Sequence, residues 1–307
     1  MRELSGERCL ISFSGGETSA YMTYWLLRQK PYVDTKVVFA NTGQENEQTL
    51  NFVRLCDEHF GFNTVWIEGV QFHNERKNPG FRVVDYQTAN REGVPFEDFI
   101  KKSGIPNAKF KACTRALKQY PIEAFAKSVG WKNGSYDIAI GIRADEIDRL
   151  SSGTRRTVYP LASVHPRTKP QINAWWASQP FRLELKGYQG NCKWCWKKSL
   201  RKHYTIIMEN PEAYDFPRRM EKLYGTVGPE FVRGVTDGYR RVFFRKELST
   251  EQLFKQYEQN KHKFVPAEDD AKVMPGGSLF DEELDVGAGC EESCEVFADE
   301  DQEKTTK

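Results

Sequence analysis

The chain has 307 residues, of which 39% are hydrophobic and 29% are charged. It contains no run of about 18 apolar residues and its first ten residues form no apolar signal core, so we expect neither a membrane span nor secretion. Seven cysteines at uneven spacing disfavour a disulfide framework and fit a reducing compartment. The composition therefore predicts a globular cytoplasmic protein without a membrane partner.

The net charge of +2 conceals two regions of opposite charge. Residues 267–307 hold 14 acidic residues and three lysines, a net charge of −11, so residues 1–266 carry +13. The acidic segment is poor in aromatic residues, which predicts a disordered tail. The basic body favours a polyanionic partner or a multiply phosphorylated ligand.

The first predicted element is a strand that leads through a glycine pair into a helix. Apolar residues 9–11 precede the stretch SFSGGETSAYM, and apolar residues then recur at helical spacing from Tyr21 to Leu26. Backbone N–H groups and a helix N-terminus converge at such a turn, which indicates an anion-binding loop. The residues expected to form this loop are Ser14, Gly15, Gly16, Thr18 and Ser19.

The same strand, turn and helix pattern follows again. A β-branched strand at Thr35–Ala40 ends at Asn41, Thr42 and Gly43, a helix is expected over Glu47–Phe60, and a third strand over Asn63–Ile67. Alternating strands and helices predict a parallel sheet with right-handed crossovers. Ligands bind beyond the carboxyl ends of such strands, so we expect both turns to lie at one site.

Residues 69–111 lose clear periodicity, and we interpret them as an insertion over the site with a short helix at Pro95–Lys102. A helix begins near Ala112 and is expected to bend at Pro121. Two more strands are predicted at Tyr136–Ile140 and Arg155–Leu161. The first of them runs directly into a GIR sequence that contains Gly141 and Arg143.

The remaining chain is predicted to be largely helical. Leu185–Cys195 is expected to be a loop, and Tyr239–Lys246 alternates like a strand or a basic edge. The predicted helices are Lys169–Ser178, Trp196–Glu209, Pro211–Leu223 and Thr250–Lys261.

Cys192 and Cys195 form a Cys-x-x-Cys pair. Thiolates at this spacing suit an iron–sulfur cluster or zinc, and neighbouring lysines would favour the thiolate form. Reduced structural thiols are the alternative. Cys9 and Cys56 fit packing positions on a strand and a helix, and the five histidines show no metal-binding spacing.

Six blocks in order carry a family resemblance. They are SFSGGETSA, FANTGQENEQTL, KACTRALKQYP, GIRADEIDR, YPLASV and GNCKWCWKKS. Together they resemble the phosphoadenosine phosphosulfate (PAPS) reductase-like branch of the PP-loop adenine nucleotide α-hydrolase superfamily, over about residues 9 to 205.

The resemblance implies an α/β fold with a five-stranded parallel sheet and helices on both faces. Its first loop would hold the phosphates or sulfate of an adenine nucleotide, ATP or PAPS. Asn41, Thr42 and Gly43 match the turn beside that loop, and Arg143, in the block that begins at Gly141, matches an anion-facing position. Cys113 matches a ligand position of cluster-bearing relatives, so the resemblance implies Cys113, Cys192 and Cys195 as metal ligands. Three such ligands would leave one cluster iron open to a sulfur substrate.

Two departures from the family pattern bear on chemistry. Glu17 stands where ATP-pyrophosphatase relatives often have lysine, and its carboxylate would repel a phosphate unless it points away or binds Mg²⁺. Cys290 and Cys294 lie where a reductase would keep a catalytic cysteine, but the family's Glu-Cys-Gly-Leu-His block is absent. We therefore do not expect a housekeeping sulfate reductase.

A basic aromatic stretch over Arg182–Tyr204 suggests a nucleic-acid partner, with Trp194 and Trp196 stacking on bases. The alternative is a helix that supports a cluster and turns its charges to solvent.

We expect a nucleotide-binding domain at residues 1–180, a Cys-x-x-Cys and basic helical region at 181–266, and the acidic tail at 267–307. The favoured function is an enzyme that binds an adenine nucleotide and acts in sulfur chemistry, with a redox or sulfur-donor protein as partner. The reaction would be sulfonucleotide reduction or ATP-dependent sulfur transfer. The alternative is a non-catalytic nucleotide-binding regulatory or DNA-associated protein.

Overall fold

The computed structural model describes residues 4, 6–150, 156–228, 234 and 238–269. Its centre is a sheet with the strand order β4-β3-β2-β1-β5-β6. All neighbouring strands are parallel except β3 and β4, which are antiparallel. The strands are β1 (Gly6–Ser12), β2 (Tyr32–Asn41), β3 (Val65–Val70), β4 (Gly80–Val84), β5 (Asp137–Ala139) and β6 (Thr157–Val158).

The five strands expected from the sequence are present, but the prediction of a five-stranded, wholly parallel sheet is wrong. The sixth strand, β4, lies within the region interpreted as an insertion over the site, where no strand was predicted. It is an edge strand without a fully buried residue, so its sequence lacks the apolar alternation of a half-buried strand. A buried carboxylate helps to hold it, because Arg82 on β4 donates to Glu68 on β3 at 2.6 Å.

The helices flank and extend this sheet. Most match the predicted positions within a few residues, including the short helix over residues 94–103. They are α1 (Glu17–Gln29), α2 (Glu47–Phe60), α3 (Val94–Ser103), α4 (Tyr120–Ser128), α5 (Lys169–Ala177), α6 (Leu200–Glu209), α7 (Asp215–Tyr224) and α8 (Thr250–Asn260).

Helices cover both faces of the sheet, as predicted. Side chains alternate along a strand, so Ile11 packs with α1, α2 and α5 on one face, while Leu10 packs with α4 on the other. A third apolar cluster joins α3 to α6, α7 and α8. The region after residue 180 therefore packs directly against the sheet domain.

In the helical region predicted to bend at Pro121, a π-helical segment, Arg115–Gln119, stands immediately before α4. Proline has no N–H to continue the regular hydrogen-bond ladder, which explains the wider turn that precedes it.

Two predictions near the C-terminal side need correction. The helix expected from Trp196 begins only at Leu200, because Ser199 caps it by accepting a hydrogen bond from the N–H of Lys202. Tyr239–Lys246 forms no strand; Phe243 and Phe244 are buried, and Phe244 makes a single isolated bridge with Leu248. None of the described helices is both long and apolar enough to span a bilayer.

Candidate functional site

The glycine loop, residues 13–19, connects β1 to α1 at the carboxyl edge of the sheet. The Ser14 and Ser19 hydroxyls lie 2.8 Å apart, and the Ser19 hydroxyl donates to the carbonyl oxygen of Gly16 at 3.0 Å. Gly16 is the N-terminal cap residue of α1 and has no capping side chain. The loop therefore brings two hydroxyls and the N-terminus of α1 together, as the sequence predicts for an anion-binding loop.

The two glycines of this loop have different structural roles. Gly15 has a φ of +83°, and an added Cβ would lie 2.7 Å from Thr49 Cγ2. Gly16 has an extended backbone, with φ −101° and ψ 160°, that other residues also adopt. Gly15 is thus required by the fold, whereas the backbone conformation at position 16 does not by itself require glycine.

Glu17 points away from the loop. Its carboxylate accepts hydrogen bonds from Arg182 at 2.9 and 2.8 Å and from the N–H of Leu183 at 3.1 Å. The pair neutralises the buried charge, so Glu17 presents no repulsive carboxylate to an anion in the loop.

The turn after β2 lies beside the glycine loop, as predicted, but its polar side chains are already engaged. Asn41 is fully buried and donates to Glu68 at 2.6 Å, while Gly43 has a φ of +80° in a crowded turn. The N–H of Thr42 donates to the Glu45 carboxylate at 2.8 Å. Asn41 and Gly43 therefore shape the turn, and Glu45, which the sequence analysis did not select, is its buried acid.

The residues of the GIR sequence pack against α1. Arg143 is buried; its Nη1 donates to the Thr18 hydroxyl at 3.3 Å and its Nε donates to Asp145 at 3.0 Å. An added Cβ at Gly141 would lie 2.9 Å from Ser19 Cα. Gly141 thus permits close packing of the strand end on the glycine loop, and Arg143 supplies the cation next to Thr18.

Asn191 joins the glycine loop to the segment that carries the cysteine pair. Its Nδ2 donates to the carbonyl oxygen of Ser14 at 2.8 Å, and its Oδ1 accepts from the Thr49 hydroxyl at 3.3 Å. Next to it, Cys192 forms an isolated bridge with Glu45. Asn191 was not selected from the sequence, although its position directly before Cys192 is the feature that would have pointed to it.

Cys113, Cys192 and Cys195 line one cavity of about 50 Å³, which we call the thiol cavity. Cys113 lies in the helical residues just before the π-helical segment, and the loop before α6 contributes the other two cysteines. The walls of the thiol cavity also include Thr42, Glu45, Lys118, Trp194, Trp196 and Lys198.

The surroundings of Cys113 and Cys192 favour the protonated thiol over the thiolate. Burial raises the pKa of Cys113, and a hydrogen bond with Cys195 together with burial raises the pKa of Cys192 well above its usual value. Lys198 lowers the pKa of Cys192, but this effect is smaller. Neighbouring lysines thus lower these pKa values, as expected, but desolvation outweighs them and the net shift is upward.

The three thiols are suitable donors for zinc or an iron–sulfur cluster, and the buried indole N–H of Trp196 interacts with the thiol of Cys113. Within the described ranges, however, no group of three or more His, Cys, Asp or Glu side chains is arranged to hold a metal ion. The predicted metal centre stays a prediction. Cys9 and Cys56 are buried in the core as expected, and Cys290 and Cys294 lie outside the described residues.

The basic aromatic stretch does not have the exposure that base stacking requires. Trp194 is fully buried and Trp196 is 4% exposed, so neither ring presents a face to solvent. The Trp194 indole N–H instead donates to the Gln44 side chain at 2.6 Å. The stacking role predicted for these two rings is wrong, while a nucleic-acid partner as such stays a prediction.

The fold and the site define an α/β protein in which a glycine loop and a cysteine pair meet at one edge of a mostly parallel sheet. No family model matches the chain. It is 31% identical over 300 residues to the uncharacterized nin region protein ORF290 of Escherichia phage lambda, and the match covers 94% of both chains. The chain therefore belongs to the family of this phage protein.

Two archaeal proteins share parts of the sequence. Over 93 residues the chain is 32% identical to the uncharacterized protein MJ0973 of Methanocaldococcus jannaschii, a match that covers 30% of this chain and 22% of the relative. Over 165 residues it is 23% identical to the uncharacterized protein MJ0066 of the same organism, covering 54% of this chain and 28% of the relative.

Proposed function

We propose that this protein is a PP-loop enzyme of the PAPS reductase-like type, which binds an adenine nucleotide at the glycine loop and acts in sulfur chemistry. The reaction is sulfonucleotide reduction or ATP-dependent sulfur transfer. The nucleotide is ATP or PAPS.

The observation that carries the proposal is the pair of hydrogen bonds made by Asn191. They attach the cysteine segment directly to the carbonyl oxygen of Ser14 in the glycine loop. An enzyme that joins nucleotide activation to sulfur chemistry needs an anion-binding loop and thiols side by side. A nucleotide-binding protein without sulfur chemistry has no such need.

The residues of the chain divide between binding and positioning. Backbone N–H groups near Gly16 and the hydroxyls of Ser14 and Ser19 bind the phosphates or sulfate, and Arg143 adds a cation beside Thr18. Asn191 orients the cysteine segment relative to that anion. Cys113, Cys192 and Cys195 would hold zinc or an iron–sulfur cluster, and such a centre would supply a Lewis-acidic metal that binds a sulfur species.

A specific observation favours a second candidate, a nucleotide-binding protein without turnover. The pKa values of Cys113 and Cys192 are raised, so their thiols are poor nucleophiles in the described conformation. A regulatory or DNA-associated protein would keep the nucleotide loop and use these thiols only for packing.

Two parallel reactions test the proposal. The full-length protein, prepared without oxygen, receives PAPS with a thioredoxin system in one reaction, and ATP with Mg²⁺, sulfide and tRNA or DNA in the other. Sulfite release indicates reduction; AMP or pyrophosphate release that requires Cys192 and Cys195 indicates transfer. Metal analysis and identification of any co-purified nucleotide accompany both.

Binding of ATP or PAPS without either product would favour the second candidate. Failure of both nucleotides to bind, in a protein shown to be folded, would overturn the proposal. A sulfite-releasing activity lost in Cys290→Ser or Cys294→Ser would establish a reductase that uses the acidic segment.

A further inference from the structure

A second cavity, which we call the amide cleft, lies between α2 and residues 176–184. Its volume is about 570 Å³, against about 50 Å³ for the thiol cavity, and the two cavities share no lining residue. Small-molecule sites in proteins usually have volumes of about 300–1,000 Å³. The amide cleft therefore has the size of a ligand site and is separate from the cysteines.

The floor of the amide cleft is apolar and aromatic. Phe52 and Trp176 line it and are each 1% exposed. The Phe181 ring is half-buried and packs against both, with its centroid 5.9 Å from that of Phe52 and 5.7 Å from that of Trp176. Leu55 and Pro180 extend this surface. A ligand that lies on the floor must present an apolar face to it.

The rim of the cleft carries three amide side chains with hydrogen-bonding groups to spare. Gln48 makes no side-chain hydrogen bond within the described residues. Asn51 accepts from Arg54 at 2.6 Å through Oδ1, which leaves its Nδ2 donor for a ligand. Gln179 donates through Nε2 to the carbonyl oxygen of Trp175 at 3.2 Å, which leaves its Oε1 acceptor. The rim thus offers donors and acceptors that carry no charge.

The charges that line the cleft disfavour an anion. Arg182 is paired with Glu17, and Glu47 accepts hydrogen bonds from Arg91 at 2.8 and 3.0 Å. Glu184, the remaining charged lining residue, forms no ion pair in the described part of the chain. The unbalanced charge of the lining is therefore negative, and it repels phosphate groups.

We propose that the amide cleft binds an uncharged nucleobase, carried by a free nucleoside or by single-stranded nucleic acid, with its ring on the aromatic floor and its edge against the amide rim. The binding of this base does not rest on the proposed function.

The shape of the ligand follows from the two surfaces of the cleft. A base has two apolar faces and a polar edge, and the amides of asparagine and glutamine pair with base edges through a donor and an acceptor together. Aromatic side chains stack on bases of any sequence. A sugar of similar size would instead bury hydroxyl groups on the apolar floor.

The test is calorimetry of the full-length protein with adenosine, guanosine, cytidine and uridine, with short single-stranded oligonucleotides, and with glucose as the uncharged sugar. Gln48→Met and Asn51→Leu each remove an amide and keep a side chain of similar size. Gln259→Met is the matched control, because Gln259 is exposed on α8 and does not line the cleft. Circular dichroism establishes that each variant is folded.

We expect a nucleoside or an oligonucleotide to bind the wild-type protein, and glucose not to bind. The affinity should fall about 3- to 10-fold in Gln48→Met and in Asn51→Leu, the effect of one lost hydrogen bond each, and should not change in Gln259→Met. A nucleoside 5′-monophosphate should bind more weakly than its nucleoside, and Glu184→Gln should reduce this difference.

Binding of the free nucleoside assigns the base to a small molecule, whereas binding of the oligonucleotide alone assigns it to nucleic acid. The proposal is overturned if neither binds, if glucose binds equally well, or if Gln48→Met and Asn51→Leu both keep the wild-type affinity. Should Asn51→Leu fail to fold, Gln48→Met decides, because Gln48 is exposed.

Titration with ATP separates this site from the glycine loop. A base in the amide cleft should not be displaced by ATP and should bind equally well to Gly16→Val, which blocks the phosphate position of the loop. Displacement by ATP would place the base at the glycine loop, defeat this inference and leave the proposed function standing. Failure of ATP and PAPS to bind, with base binding that is weakened in Gln48→Met, would do the reverse.

Discussion

Arg182 holds the Glu17 carboxylate through two hydrogen bonds of 2.9 and 2.8 Å, although the two residues are separated by 165 positions in the chain. The side chain of Glu17 is 9% exposed and that of Arg182 is 21% exposed. This pair turns the acidic residue of the glycine loop away from the place where an anion would bind.

Removing Arg182 should therefore affect both stability and binding. Arg182→Met leaves a buried carboxylate without its partner, and we expect a loss of about 3 kcal/mol in the free energy of unfolding. The double variant Glu17→Gln/Arg182→Met should recover most of that loss. Urea denaturation of the two variants measures it.

An exposed ion pair provides the control for these two variants. Arg218 pairs with Glu251 at 2.7 Å on the surface, so Arg218→Met should cost less than about 1 kcal/mol. Equal losses in Arg182→Met and Arg218→Met would show that the Glu17 pair is not a buried constraint.

The two glycines of the loop should respond differently to substitution. Gly15→Ala forces a left-handed residue and a methyl group against Thr49, and we expect a loss of about 2–4 kcal/mol in the free energy of unfolding. Gly16→Val should fold but lose ATP binding, because its side chain would occupy the space of the phosphate. Denaturation and calorimetry separate the two effects; tight ATP binding by a folded Gly16→Val protein would remove this loop from the site.

Substitution of Asn191 should reduce both the free energy of unfolding and the affinity for ATP. Asn191→Asp keeps the shape but replaces the donor to Ser14 O with an acceptor in a buried position, so we expect a loss of about 1–3 kcal/mol and weaker ATP binding. Asn107→Asp is a suitable control, since Asn107 donates in a similar way to Val242 O at 2.9 Å, away from the site. It should lose stability but keep its ATP affinity, and a loss of affinity in both variants would contradict a specific role for Asn191.

His203 should make the protein sensitive to acid. Burial, assisted by Lys198, lowers the pKa of His203 from 6.5 to about 3. The unfolded state therefore binds one more proton between these values, and stability falls as pH decreases below 6.5. At about 1.4 kcal/mol per pH unit, we expect about 2 kcal/mol to be lost between pH 7 and 5.

The variant His203→Gln isolates this contribution. Glutamine can still hydrogen-bond the Tyr214 hydroxyl, which lies 2.7 Å from His203 Nδ1, but it does not titrate. The stability difference between pH 7 and 5 should shrink by about 2 kcal/mol in the variant. An identical pH dependence in both proteins would mean that His203 already carries its proton in the fold.

The acidic segment should weaken the binding of polyanions to the basic body. The first residues of this segment contact the body, because Ala267 N–H donates to the Thr205 hydroxyl and Asp269 accepts from Gly187 N–H. Residues 270–307, with a net charge of −9, lie outside the described residues. Their deletion should tighten nucleic-acid binding at low salt and steepen its salt dependence. An unchanged binding curve, measured by fluorescence anisotropy, would exclude this competition.

The sequence by itself determined the order of the elements. Apolar runs such as residues 9–11 are followed by a turn and then by apolar residues at helical spacing, a pattern that indicates parallel strands without knowledge of distant contacts. Five of the strands and the bounds of α2 were therefore predicted. The apolar alternation of β4 is too weak to predict a strand, because an edge strand buries few of its side chains. The turns that follow β1 and β2 were expected to lie side by side because these strands are parallel, so that their carboxyl ends meet at one edge of the sheet.

Only the tertiary structure decided what the side chains of the site do. Arg182 orients the Glu17 carboxylate, and Asn191 donates a hydrogen bond to the carbonyl oxygen of Ser14. The rings of Trp194 and Trp196 are buried in a core formed by helices that are distant in the sequence. Residues 165 and 177 positions apart meet through folding, and no local spacing records such contacts. The same holds for the pKa values of Cys113 and Cys192: lysines close in sequence lower them, but burial in the folded protein raises them more.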